Sequence, residues 1–393
     1  MHFKRLLAGC TAAMLCAVSV GSTAASAEVF DGSAIEFADF GEKFADKFLS
    51  EGQVEKGEMS YKSHDLNLTV TRNTYDRMTG DLDESGAVTV ADAVLLTQYL
   101  TEHSAELSET AMFNADINED DMVTAQDLSK MLRWLNGTVA DADFFIEHTL
   151  VYFVVDFYVR SVENFRSAFA QGEYHDLTMG KKDDTVMNMA KENNAVFAIN
   201  GDFISYRNDG ITWRNGIFYR DAGRYCKRGY LEDVEVLFDN GEMNIVSDAE
   251  YRAMSDEEKS HIWQTVTFSP TLLRDGEIVP THQTGNILNR HPRTGVGYFE
   301  PGHYCFVLAE GRQPGYSNGV RIWEFAQIFK DLGCVNAFNS DGGASSVMAL
   351  YGTQVNQPAW RGRATDDIFY LVDTADIVPD AAAEKWIAQQ TAE

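Results

Sequence analysis

The chain has 393 residues, with 32 basic against 60 acidic side chains and a formal net charge of −28. A field of that sign repels nucleic acid and anionic membrane surfaces and suits an acidic protein that binds cations. The length allows two domains, one of them large enough for a substantial core.

In chain order, Lys4 and Arg5 precede a mostly small and apolar stretch running to about Val20, followed by Ala25-Ser26-Ala27. Charge, apolar run and small-residue site in that order predict a secretory signal over 1–27, cut before Glu28. Cleavage removes two basic residues and no acid, so the mature chain is more acidic still. The alternative, a lipoprotein signal with Cys10 acylated, is disfavoured because the apolar stretch continues past Cys10. No later segment approaches the ~20 continuous apolar residues that span a bilayer. The expectation is a secreted, extracellular protein with no membrane span, held at a cell surface only through a partner. Cys10 and Cys16 leave with the signal. Cys226, Cys305 and Cys334 remain, an odd number that allows at most one bridge and favours buried thiols.

Residues 28–75 contain the strand-like run Leu66-Asn-Leu68-Thr-Val70. A duplicated pattern follows within 77–138. Asp81, Asp83, Ser85, Ala87 and Asp92 recur 35 residues later as Asp116, Asn118, Asp120, Met122 and Asp127. A hard calcium ion needs roughly six or more oxygens. A tight loop presents them from side chains at positions 1, 3, 5 and 12 and from the carbonyl at 7, which here belongs to Ala87 and to Met122. Apolar residues at helical spacing follow each loop: Val94, Leu95 and Tyr99, then Leu128, Met131, Leu132 and Leu135. One acidic turn alone is usually just solvated. Two in register, each leading into an amphipathic helix, predict two calcium sites.

With those residues in view, the segment resembles the dockerin type I family, a small all-α module of two calcium loop-helix repeats. That resemblance implies a cohesin domain on a scaffold protein as partner, with loop positions 10 and 11 contributing to recognition. Those positions are Val90-Ala91 and Ala125-Gln126, so the two halves differ. Asp121 stands at the sixth loop position, where the first loop has Gly86. Aspartate tolerates the left-handed conformation at a cost, which predicts a weaker second site or an altered turn.

Residues 140–380 mix strand-like runs at Val151–Phe157, Val196–Ile199, Tyr304–Leu308 and Val335–Phe338 with a helical pattern over Ile322, Phe325, Ala326, Phe329 and Leu332, capped by Gly333. This predicts a mixed sheet flanked by helices, α+β in class. Polar motifs sit at strand ends: Asn200-Gly201-Asp202, His291-Pro292-Arg293-Thr294, Glu310-Gly311-Arg312, and Asn339-Ser340-Asp341-Gly342-Gly343 with Ser345 and Ser346. Paired glycines let backbone amides converge on an anion, and a guanidinium suits bidentate phosphate. Each motif taken singly is also ordinary turn chemistry.

Together with Arg214-Asn215-Gly216, and in this order, the motifs resemble the phosphodiester glycosidase family from about Tyr61 to Val372. Glu310, Ala344 and Gly295 depart from its usual Asp, Gly and small apolar residue. The resemblance implies a hydrolase acting on a sugar phosphodiester or related glycan linkage. The leaving group there is already an acidic phosphate, so neutralising charge and aiming a nucleophile at C1 matter most. Asp341, Asp202 and Glu310 are the candidate catalytic carboxylates. Asn200, Arg293, Thr294, Arg312, Asn339, Gly342, Gly343, Ser345 and Ser346 are the candidate substrate and phosphate contacts. Asp341 or Asp202 could instead hold a catalytic divalent metal with Asn200 or Asn339. The reading from another class is a non-catalytic carbohydrate-binding or assembly subunit.

The family's first strand falls on Leu66 to Thr71 and its second on Leu150 to Val159, with the duplicated loops between. The expectation is one discontinuous domain over 28–75 and 140–380, the module 77–138 inserted in a surface loop, and a tail over 381–393.

Overall fold

The computed structural model describes residues 30–102, 106–118, 120, 122–144, 148–207, 210–222, 233–280 and 285–391. The signal segment, Cys226 and Asp121 lie outside these.

The fold is mixed α+β and mostly sheet. Its largest sheet is antiparallel throughout. The strand Leu66–Arg77 pairs with His148–Val159 along its whole length. Next come His303–Ala309, Arg293–Glu300, Asn336–Ser340 and Thr271–Arg274. A second antiparallel sheet runs Thr353–Gln354, Met348–Leu350, Phe197–Asn200, Asp367–Leu371, Phe165–Phe169. Met243–Ser247, Asp233–Phe238 and Ile262–Val266 form a third.

The apolar runs that read as strands are apolar without alternation because both of their faces are covered. Val151, Phe153, Val155 and Phe157 point one way, with Phe306 and Leu308, into a core shared with Phe165, Phe197, Ile199 and Phe369 of the second sheet. Leu150 and Val154 point the other way, with Cys305 and Val307, against Ile322, Phe325 and Phe329 of the helix Ile322–Asp331. The helix comes close because the strand beneath it carries glycines. A Cβ at Gly297 would lie 2.7 Å from the Phe329 ring and 2.8 Å from each of two sulfurs. Those sulfurs, of Cys305 and Cys334, are buried free thiols 3.6 Å apart. Gly333 ends the helix at φ +83°, with the Cys334 N–H returning to the Phe329 carbonyl at 3.0 Å. The outer face of the second sheet is covered by the helix Val186–Glu192 through Val186, Met189 and Ala190. Residues 381–393, expected as a tail, instead carry the helix Ala381–Gln390, whose Ala382 and Ala383 are buried beside Phe169 and Tyr219.

Between Arg77 and His148 the chain leaves the large sheet and forms the helices Val90–Glu102, Glu109–Ala115, Ala125–Leu135 and Asp141–Phe144. Their core is Leu82, Ala93, Leu96, Ala111, Ala115, Ile117, Met131 and Phe144. Two residues of the sequence-predicted apolar faces, Val94 and Leu132, are exposed. Ala93 and Leu96 do the packing in the first helix. Glu109–Ala115 was not foreseen; it is short, and its N-cap Ser108, accepting from the Ala111 N–H at 3.0 Å, was its main local signal.

One core position opposes folding. Glu235 sits mid-strand, opposite Ile245 and Val266, and its carboxylate oxygens have no hydrogen-bond partner among the described residues. Burial first, and Asp202 second, push its carboxyl well above the usual range. A raised folded-state pKa means stability is lost as pH climbs above the unfolded value. Glu235→Met is therefore expected to raise stability by about 1–3 kcal/mol at neutral pH, the usual cost of an unpaired buried polar group. Thermal melts should show the gain shrinking toward pH 4; a destabilised variant would refute this account.

Candidate active site

The ends of the strands Phe197–Asn200, Arg293–Glu300 and Asn336–Ser340 converge on a cleft of about 560 Å³. Its lining includes His291, Arg293, Arg312, Asn339, Asp341, Gly342 and Gly343 from the sequence motifs. It also includes Phe203, which ends the Asn200-Gly201-Asp202 motif, and Phe268, Trp360 and Arg363, which sequence reasoning missed.

Asp341 is the carboxylate in the cleft. It is only 5% exposed, and burial pushes its carboxyl up to about 6, against the opposing pull of Arg363 and Ser345. Its Oδ2 accepts from Arg363 Nη2 at 2.9 Å. Its backbone carbonyl is held by the Asn200 side-chain amide at 2.8 Å. Asn200 is itself fixed, accepting from the Thr294 hydroxyl at 2.9 Å, and Thr294 bonds Ser346 at 3.2 Å. Asn200, Thr294 and Ser346 are all buried and form a network that positions Asp341. Ser345 is taken by Arg363.

The expected pair of anion-binding amides is not free. The Gly342 N–H donates to Asp341 Oδ1 at 2.9 Å and the Gly343 N–H to the Pro292 carbonyl at 2.8 Å. Glycine is needed at 342 for another reason: a Cβ there would sit 2.7 Å from the Pro292 oxygen. Arg293 is likewise committed. Its Nε donates to the Val320 carbonyl at 2.8 Å, and its Nη2 to those of Ile287 and Asn289. Desolvation lowers it to about 9. The arginines that present charge to the cleft are Arg312 and Arg363. Arg312, at φ +59°, lies over the Trp360 ring at 5.2 Å and donates to His291 Nδ1 from Nε at 3.3 Å. Arg363 lies 5.4 Å from the Phe203 ring centroid. Trp360 is 73% exposed. Asn339 donates to the Ser269 carbonyl at 2.8 Å, and its buried Oδ1 has no partner among the described residues.

Asp202 does not line the cleft. Its carboxylate accepts from the N–H and hydroxyl of Thr267 at 2.8 and 2.9 Å, the N–H of Phe268 at 2.7 Å and Arg207 at 3.1 Å. A group so fully bonded positions the loop under Phe268 and is poorly placed to activate water. Glu310 also lies outside the cleft lining. It accepts from the Gln357 N–H, and burial raises its carboxyl. Arg214 of the Arg-Asn-Gly motif is buried; its Nη2 meets Asp367 at 2.9 Å and Asp202 at 3.8 Å. Asp366, beside it, is pushed up by burial and by Asp367.

In the acidic loops, one oxygen from each of Asp81, Asp83 and Asp92 can lie within 4.8 Å of the others, a donor set that fits a hard cation. Asp92 Oδ1 orders its loop by accepting from the N–H groups of Leu82 and Asp83 at 2.7 and 3.0 Å. Asp127 repeats this with Ile117 and Asn118 at 2.8 and 3.0 Å. Ser85 donates to the Ala87 carbonyl at 3.2 Å, and the Met122 N–H donates to Asp120 at 3.1 Å.

The cleft thus gathers a buried carboxylate and two arginines at strand ends, and the first acidic loop gathers three carboxylates. Residues 193–372 match the phosphodiester glycosidase family and residues 79–136 the dockerin type I domain. An uncharacterized SPbeta prophage-derived protein of Bacillus subtilis is 29% identical over 180 residues, 44% of this chain and 27% of that one. The mouse N-acetylglucosamine-1-phosphodiester alpha-N-acetylglucosaminidase is 34% identical over 67 residues, 17% of this chain and 13% of its own. The chain thus spans less than a third of the length of either relative. The solved catalytic domain of the zebrafish N-acetylglucosamine-1-phosphodiester alpha-N-acetylglucosaminidase, auto-inhibited by its pro-peptide, aligns at TM-score 0.49 and 16% identity, over 79% of this chain and 89% of that one. Among the described residues no helix is long and apolar enough to cross a membrane.

Proposed function

We propose that the protein is a secreted glycosidase that hydrolyses a glycosyl phosphodiester or related glycan linkage and docks through its dockerin module to a cohesin-bearing scaffold. The observation that carries the catalytic part is the meeting of Asp341, Arg312, Arg363 and Trp360 in one cleft. Arg312 and Arg363 neutralise the phosphate leaving group, which needs little general-acid help. Trp360 offers an exposed face for a sugar ring. The Asp341 carboxylate, released from Arg363 as the phosphate arrives, takes a proton from the attacking water or stabilises charge at C1. Asn200, Thr294 and Ser346 keep Asp341 in place, and Asp202 holds the Thr267-Phe268 loop. Asn339 Oδ1 is left as an acceptor for a sugar hydroxyl.

The module reading rests on the family match and on the two loops. The strands on either side of it, Leu66–Arg77 and His148–Val159, pair directly, which supports a module of 77–138 inserted in a discontinuous domain of 28–75 and 140–380. Asp81, Asp83, Ser85, the Ala87 carbonyl and Asp92 would hold one calcium. Asp116, Asn118, Asp120, the Met122 carbonyl and Asp127 would hold the other. Bound calcium cross-links each loop to the start of its helix and so stabilises the module. The acidic charge and the N-terminal signal pattern support an extracellular address.

The test is hydrolysis of an α-N-acetylglucosaminyl phosphodiester, or of an aryl glycoside, by the purified chain in ¹⁸O-labelled water. Label in the sugar is the expected result. Label in the phosphate would mean P–O cleavage, and glycan binding without turnover would mean a binding subunit; either outcome overturns the reading.

A further inference from the structure

Arg321, which precedes the helix Ile322–Asp331, reaches from the glycosidase-family segment into the second acidic loop. Its Nη1 donates to Asp116 Oδ2 at 2.7 Å, and the two side chains are 6% and 4% exposed. Beside this pair, Phe113 of the helix Glu109–Ala115 packs on Trp323, with ring centroids 4.3 Å apart. Arg321 is itself well held: its N–H donates to Glu324 Oε2 at 2.9 Å, and Glu324 takes a bidentate pair from Arg290 at 2.7 and 2.8 Å.

Asp116 is position 1 of its loop. Its other oxygen, Oδ1, accepts from the Asp120 N–H at 3.1 Å. At position 1 of the first loop, Asp81 Oδ2 accepts from the Gly86 N–H at 2.9 Å, and among the described residues no cationic side chain pairs with it. The two loops carry the same number of carboxylates at their ligand positions, three each, but only the second has a buried arginine on its first ligand, a difference additional to Asp121 standing where the first loop has Gly86.

We propose that Arg321 is a built-in counter-cation of the second loop, so that calcium bound there and docking of the module on the glycosidase segment oppose each other. This rests on the reading that both loops bind calcium. A guanidinium on Asp116 occupies an oxygen that the ion would use. Even if the ion takes only Oδ1, a fixed positive charge across one buried carboxylate repels it with little screening. Linkage makes the effect reciprocal: whatever docking costs calcium, calcium costs docking. The first loop keeps its affinity whether or not the module is docked.

Calorimetric calcium titration of the full chain tests this. Arg321→Gln is expected to tighten the second site by about tenfold and leave the first unchanged, a coupling of ordinary allosteric size. Phe113→Ala, which loosens the same contact without touching charge, should move the second site in the same direction and guards against a misfolded Arg321 variant. In the unaltered chain, saturating calcium should speed backbone hydrogen exchange at residues 320–324. A second site whose affinity is the same with and without Arg321, or slower exchange at 320–324, overturns the proposal while the first loop's uptake stands. No calcium uptake by any form overturns the loop reading and this proposal together.

Discussion

Asp341→Asn is expected to lower turnover by about a thousandfold, the scale of a lost general base, and at the same time to raise the melting temperature at neutral pH. The second effect follows from the first residue's environment. Burial holds the carboxyl at about 6, against an ordinary value of 3.8. The folded state therefore keeps this proton to a higher pH than the unfolded state does. Stability is full below about pH 4 and falls by about 3 kcal/mol as the pH rises to about 6 and beyond. That cost already includes the help from Arg363. Asparagine has no proton to lose, so the variant should match the unaltered protein at pH 4 and exceed it above pH 6. Wild-type turnover should rise through about pH 6 as the carboxylate forms. Activity within tenfold of wild type, or an equal stability difference at both pH values, would remove Asp341 from the centre of the mechanism.

Arg214→Ala should be the most destabilising single change near the site. Arg214 lies fully buried against Asp367 and Asp202, donating to Asp367 from Nε at 3.2 Å and Nη2 at 2.9 Å. Removing it leaves buried carboxylates without their counter-charge, a loss of about 3–5 kcal/mol. The double variant Arg214→Met with Asp367→Asn should recover part of that, because breaking one side of a buried pair costs more than removing both charges. Urea unfolding of the two forms measures the difference. A loss under about 1 kcal/mol for Arg214→Ala, within the range of an exposed pair, would show that the cluster is more hydrated than its burial indicates.

The strands and the helix that were legible in the sequence, Val151–Phe157, Tyr304–Leu308 and Ile322–Leu332 among them, are those with long apolar patterns. Their apolarity reflects layers on both faces, so the signal survives without knowledge of the partner. The helix Glu109–Ala115 was too short to show a period, and the helix Ala381–Gln390 packs through only Ala382, Ala383, Trp386 and Ile387, too few positions to mark a face. Arg363 and Trp360 were missed because they follow no strand and sit in a segment, Pro358 to Ala364, whose composition reads as an ordinary turn.

The loop pattern was written locally: acidic and polar residues at five positions within twelve, repeated at a fixed distance, and in the first loop Asp81, Asp83 and Asp92 do come together. The active-site assignments were not local. Asn200 meets Asp341 across 141 positions, and Gly343, in a turn after one strand, gives its N–H to Pro292, just before another. Sequence named the residue types and the strand ends; only long-range pairing decided which groups are spent holding the backbone and which face the cleft. The same holds for Arg321 on Asp116, 205 positions away. A hydrogen-bond donor has no fixed role until its acceptor arrives, and here the acceptors lie in loops that only the tertiary fold brings near.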